Sequence, residues 1–239
     1  MIRALITAVV EYFLAYHINQ KGTYHARVLA WVLFFLASYQ LGEYLIYLFP
    51  GISLGIRVAY FSTTMLPPLG VYFLQEHTGK QYGHSIIHMV GLIFALLFFI
   101  NPSVIGTYMI SDTGQCIETV YREGYIMNAW AFYYQGTLLY TMGISVIEIY
   151  KSEHRKLEEL NIDKEFYINT LKQFFVAYVS FNVVSVLITK LYPQFANRLA
   201  SLMCALAVIV AFIFTNIAFE LEFFPKVREK IMMSIKNIR

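Results

Sequence analysis

Two carboxylates, Glu11 and Glu43, stand inside otherwise apolar stretches of this 239-residue chain. In a bilayer a charge at a helix centre costs about 2.5 to 3.5 kcal/mol on insertion scales, so each is a candidate for ion, proton or ligand chemistry. Gln40, Glu43 and Tyr47 follow one another at spacings of three and four, which places them on one helix face. That face must look into a protein interior, where Gln135, Asn182 and Asn216 can extend it into a polar core. The structural alternative is interhelical hydrogen bonding that holds the helices together, worth about 0.6 kcal/mol per contact. For Glu43 with Gln40 both readings stand; for the two asparagines structure is favoured.

His84 and His88 are four apart, the spacing that puts two imidazoles on one helix face for a metal. Two ligands do not complete a site, and histidine is at home at an interface where it reaches water. His17, His25, His77, His84, His88 and His154 all fall at one side of the apolar segments, and Glu76 with His77 offers a pH response there. Pro67 and Pro68 fall mid-segment, where they remove backbone donors and disfavour regular helix just before them, so a kink or break is expected. Such an interruption can form the wall of a pocket, a pivot, or a static bend.

The elements that must position these residues are seven apolar segments. At 58% hydrophobic, 17% aromatic and 14% charged residues, the chain has too little polar surface to coat a water-soluble globule of its length. Spanning a hydrocarbon core takes about 20 apolar residues per helix. The helices are expected at about Ile2 to Ile18, Arg27 to Phe49, Ile56 to Gln75, His84 to Asn101, Ile126 to Tyr150, Thr170 to Tyr192 and Leu199 to Phe219. Ile2 to His17 carries one preceding basic residue, contains Glu11 and lacks a small-residue cleavage site, so it reads as the first membrane helix and not as a signal peptide. A polar loop from Pro102 to Tyr125 and a charged stretch from Lys151 to Asn169 are the long connections.

Counting Lys and Arg on the two sides gives thirteen against five. The positive-inside bias then puts the N-terminus outside and the C-terminus in the cytoplasm, in a multi-pass protein of the inner or plasma membrane. The Pro102 to Tyr125 loop faces outward, and the Lys151 to Asn169 stretch is a solvated connector or a docking surface. Residues 1–225 form one all-α seven-helix transmembrane domain, and residues 226–239 a basic tail. In the tail Val227, Ile231, Ile235 and Ile238 share a face among Lys and Arg, as in an amphipathic helix lying on the inner leaflet or a signalling connector. Cys116 and Cys204 fall in a polar loop and an apolar segment, which gives no disulfide framework.

Several chemistries fail on their residues. Leu199 to Phe219 has no lysine for a retinal Schiff base, and no serine stands four before any histidine as in the zinc-dependent seven-helix hydrolases. The single Pro193-Gln194 pair lacks the first-half counterpart of two-repeat sugar carriers. No nucleophile elbow, phosphate loop or kinase motif occurs, so neither an enzyme nor a cofactor is expected. The +3 charge reports orientation and offers no stripe for nucleic acid.

From Arg27 to Lys80 the chain resembles the seven-helix sensor region at the N-terminus of some bacterial histidine kinases and diguanylate cyclases. The resemblance rests on Ser38, Gly42 and Tyr44, then Arg57, Tyr60, Leu66-Pro67-Pro68-Leu69, Tyr72, Phe73 and His77-Thr78-Gly79-Lys80. It implies a ligand pocket or membrane-state sensor in the bundle. No phosphoacceptor, nucleotide-binding or cyclase domain follows before Arg239, so the resemblance implies a free-standing module whose output is another protein.

The function expected is a receptor-like or sensory membrane protein that couples its polar interior to a cytoplasmic or membrane partner, with self-association open. A small transporter or channel using Glu11 and Glu43 is the rival, and a non-catalytic subunit of a membrane complex is the third reading.

Overall fold

The computed structural model describes residues 2–49, 53–110, 116–121, 124–154, 164–191 and 196–219. They form seven α-helices: α1 (Ile2–Gln20), α2 (Tyr24–Leu48), α3 (Leu54–Thr78), α4 (His84–Ile100), α5 (Tyr125–His154), α6 (Lys164–Leu191) and α7 (Ala196–Ala218). Every expected helix is present. The connector at residues 155–163, Pro193-Gln194 and the tail at 226–239 lie outside the described residues.

Local chemistry accounts for the shifted ends. Thr23 accepts from the Ala26 amide at 3.4 Å and caps α2, so the helix starts at Tyr24, ahead of the expected Arg27. Gly79 ends α3 in a left-handed conformation, φ 68°, that a side chain would strain. At the opposite end Arg57 of α3 donates to the Phe99 carbonyl near the end of α4 and, through Nε, to Ser53 at 3.0 Å. A cation there meets the negative end of the α4 dipole.

The α4–α5 connection corrects the plain loop expected from Pro102 to Tyr125. A 3-10 turn at Pro102–Val104 leads into an antiparallel hairpin of β1 (Gly106–Ile110) and β2 (Cys116–Tyr121), in which Gly106 faces Tyr121 and Met109 faces Glu118. β-branched and aromatic residues are frequent in Gly106–Ile110 and Cys116–Tyr121, which favours strands. The period-two signal was hidden by the charged residues around it.

The helices close as a bundle with α3 at its centre. α3 packs on α2, α4 and α5, while α7 seals the other side against α1, α2 and α6. From Thr64 to Val71 every α3 residue is buried, so this stretch has no outward face. The expected break at Pro67-Pro68 is absent, and α3 is one helix from Leu54 to Thr78. Neighbours hold it there: the Tyr178 hydroxyl of α6 donates to the Leu66 carbonyl at 3.2 Å, and the Trp130 indole of α5 donates to the Thr64 hydroxyl at 2.9 Å.

The α2–α3 contact is backbone to backbone. A Cβ on Gly42 would stand 2.6 Å from the Ala59 nitrogen, and one on Gly55 would stand 2.7 Å from the Ile46 nitrogen. Small residues permit this approach, as between helices in lipid. Gly42→Ala must push the helices apart, and overpacking of this kind costs about 1 to 3 kcal/mol. Thermal unfolding in detergent should show a lowered midpoint for Gly42→Ala and none for Gly136→Ala, where an added Cβ meets nothing within 4 Å.

Candidate functional site

The interior facing α1, α2 and α7 holds the strongest concentration of uncompensated polar atoms. Glu11 is 0% exposed, and neither carboxyl oxygen has a hydrogen-bond partner among the described residues. Gln40 of α2 is also buried; its Oε1 accepts from the Cys204 thiol of α7 at 3.3 Å, while its Nε2 has no partner among them. Thr7, one turn before Glu11, reaches the same thiol, and both Glu11 and Glu43 lie within electrostatic range of it. Three helices therefore converge on Cys204. An ionised, unpaired carboxylate in such a place costs several kcal/mol. The Glu11 oxygens call for a proton, a cation or a donor from a small polar ligand, and Gln40 Nε2 supplies a donor nearby.

Glu43 and Tyr47 share the face of Gln40 but have different surroundings. Glu43 is half-buried and hydrogen-bonds to Tyr39 one turn earlier. Tyr47 packs at the far end of α2 against Ile46, Ile56, Phe98 and Ile105. The structure thus brings Glu11, Gln40 and Glu43 together and leaves Tyr47 in a separate apolar cluster. Gln135 is half-buried on α5, and Asn182 of α6 donates to the Met142 sulfur of α5 at 3.7 Å, away from Cys204. Pro67 and Pro68 line no part of this site and belong to the buried centre of α3. The buried hydroxyls of Ser38, Thr64, Thr141 and Ser145 donate to the carbonyl four residues back, a local satisfaction that leaves them structural.

A second polar zone lies at the Thr78 end of α3. His77, past the apolar span of α3, stacks on Tyr167 at the start of α6 with ring centroids 4.6 Å apart, and its Nε2 lies 3.3 Å from the Tyr167 carbonyl. His25 of α2 stands 5.2 Å away, ring to ring. Lys80, just beyond α3, pairs with Glu148 of α5, which Lys151 also approaches at 4.0 Å. Sequence reasoning passed over Glu148 because an acid beside a charged stretch reads as solvated; it is buried, and only the fold brings Lys80 to it. Cys204 and Thr7 were missed for a similar reason, since each looks like an ordinary small residue until three helices meet.

His84 and His88 do not gather further ligands. No group of three or more His, Cys, Asp or Glu able to hold a metal occurs among the described residues. His84 Nδ1 lies 3.1 Å from Gln75 Oε1, and its ring stacks on Tyr72 at 4.7 Å.

No family model, curated protein or solved structure matches the chain.

Burial, and then the neighbouring His25, hold the His77 imidazole down at about 4 from its ordinary 6.5. Between those values the unfolded chain takes up a proton that the folded chain refuses, so His77 contributes stability at neutral pH that is lost as pH falls from about 6.5 toward 4. Denaturant midpoints measured from pH 7 to 4.5 should therefore fall. The fall should be shallower in His77→Phe, which keeps the ring stack and removes the titration.

Proposed function

We propose that the chain is an integral protein of the inner or plasma membrane, its seven helices crossing the bilayer with the N-terminus outside, and that it acts as a receptor-like sensory module. What supports the membrane setting is an inverted distribution of residues. On α1 the exposed positions between Arg3 and Asn19 are Ile6, Val9, Val10, Phe13 and Tyr16, whereas Thr7 and Glu11 are buried. On α4 every exposed residue from Ile86 to Ile100 is apolar, with Ile86 at 72% and Ile93 at 64% exposed. A helix surface in water would carry charge at those positions. By length and composition α2 alone among the described helices is long and apolar enough to cross a membrane; α4 is as apolar but shorter. The outward faces extend the same setting to the other helices.

One observation supports the sensory half: α3 connects the polar interior to the cytoplasmic end. It touches α2 backbone to backbone beside the Glu11, Gln40, Glu43 and Cys204 group, runs unbroken through Pro67-Pro68, and there grips α6 through His77 and α5 through Lys80 and Glu148. Both gripped helices lead into the charged connector. A stimulus that shifts α2 against α3 reaches the output end through one rigid element, provided that it binds two bundle states unequally. The unpartnered Glu11 oxygens favour a second reading, a proton or ion carrier.

Glu11→Gln and Glu43→Gln separate the two. On the sensory reading both variants fold, with thermal midpoints near wild type, and both change the yield of a cytoplasmic partner captured by brief crosslinking in native membranes. Vesicles holding the purified protein pass no ions. Proton flux that Glu11→Gln abolishes, with partner capture unchanged, replaces the sensor by the carrier.

A further inference from the structure

A cavity of about 520 Å³ opens between α2, α3 and α4, separate from the Cys204 group. Its lining has two ends. One is apolar, made by Trp31 and Phe35 of α2 with Met65 and Leu69 of α3. The other carries Tyr72 of α3 with His84, Ser85 and His88 at the start of α4. Seven residues separate Met65 from Tyr72, about 10 Å of helix, so the cavity is elongated along the bundle axis. It is open to the outside, and Trp31 in its lining is 54% exposed. On the membrane reading proposed above, from which this inference starts, such an opening admits molecules dissolved in the bilayer.

We propose that this cavity binds the head and first part of a long-chain fatty acid, its carboxyl at the histidine end and its chain along Leu69 and Met65, the remainder leaving past Trp31 into the bilayer. The polar end contains two imidazoles, a hydroxyl and a phenol, and no carboxylate, so it suits an acidic head and lacks the counter-charge that an ammonium would need. Gln75 Oε1 fixes the state of His84: the oxygen accepts from the Tyr82 amide at 3.3 Å and lies 3.1 Å from His84 Nδ1, so Nδ1 carries the hydrogen. Nε2 of the neutral ring keeps its lone pair. A carboxylic acid can donate its O–H to that nitrogen. His88, one turn along the same helix face, and the Ser85 hydroxyl are placed to serve the second oxygen. Pockets of this size bury most of a small ligand, with a few polar groups fixing its orientation.

The two tryptophans permit a direct test. Trp31 lines the cavity, whereas Trp130 is packed among Tyr60, Phe98 and Tyr134. Full-length Trp130→Phe protein, with Trp31 as its sole indole, is placed in phospholipid vesicles and titrated with a bromine-labelled C16 fatty acid. Bromine in the bilayer phospholipid itself should quench Trp31; if it does not, the membrane reading fails before the cavity is tested. Given that quenching, the fatty acid should add a saturable component that unlabelled palmitate displaces and lysophosphatidylcholine does not. His84→Ala with His88→Ala should weaken the saturable component at least tenfold, and Ser85→Phe, at an exposed lining position, should block it. Quenching that rises linearly with no saturation, or saturable binding that the histidine pair does not affect, or equal displacement by lysophosphatidylcholine, overturns the proposal.

Discussion

The close approach of α2 and α3 is the constraint on which the remaining structure depends. Gly42 and Gly55 remove the side chains that would hold the two backbones apart, and α3 is thereby drawn to the centre of the bundle, buried on every side from Thr64 to Val71. Close packing and hydrogen bonds to backbone carbonyls hold the helices at such contacts. Tyr178 on α6 makes another: its ring lies where a Cβ on Gly70 would be, 2.5 Å away, and its hydroxyl reaches the Leu66 carbonyl. Aromatic contacts spread the packing outward, as where Phe73 stacks on Phe174 at 4.3 Å.

Once α3 is central, its ends become the junctions of the molecule. Arg57 ties the Leu54 end to α4, and His77 and Lys80 tie the Thr78 end to α6 and α5. The polar interior at Glu11, Gln40 and Cys204 joins α1, α2 and α7, and α2 is also a helix that α3 touches, so a change in how those atoms are satisfied bears on a direct neighbour of α3. Several buried hydroxyls are quenched by their own helix, whereas the unsatisfied buried atoms, those of Glu11 and Gln40 among them, are places where a ligand or proton changes the energy.

Helix number and order were legible in the sequence, because apolar runs separated by basic or turn-forming residues leave few alternatives. Gln40 and Glu43 were legible as neighbours by their spacing on α2, and Glu11 as an anomaly in an apolar run. Their meeting with Cys204 was not, since no local pattern reports which face of α1 or α7 turns inward. The Pro67-Pro68 break was expected from backbone chemistry alone, whereas α3 runs through both prolines among tertiary contacts with α5 and α6. The hairpin at Gly106–Ile110 and Cys116–Tyr121 was masked because a charged stretch between helices looks like an irregular loop. Tyr47 kept its predicted face but met an apolar cluster, because that end of α2 lies beyond the polar group.

The central claim is that the seven helices cross a bilayer around a polar interior. Its most direct test is labelling of single cysteines, in a Cys116→Ser background, by a membrane-impermeant thiol reagent in intact cells; Cys204 is buried and stays silent. Cysteines placed at Ser53, Ser103 and Tyr125 should label in intact cells. Those at Gly22, Gln81 and Lys151 should label only after permeabilisation. Labelling of both sets from the same side, or recovery of the protein without membranes, would contradict the account.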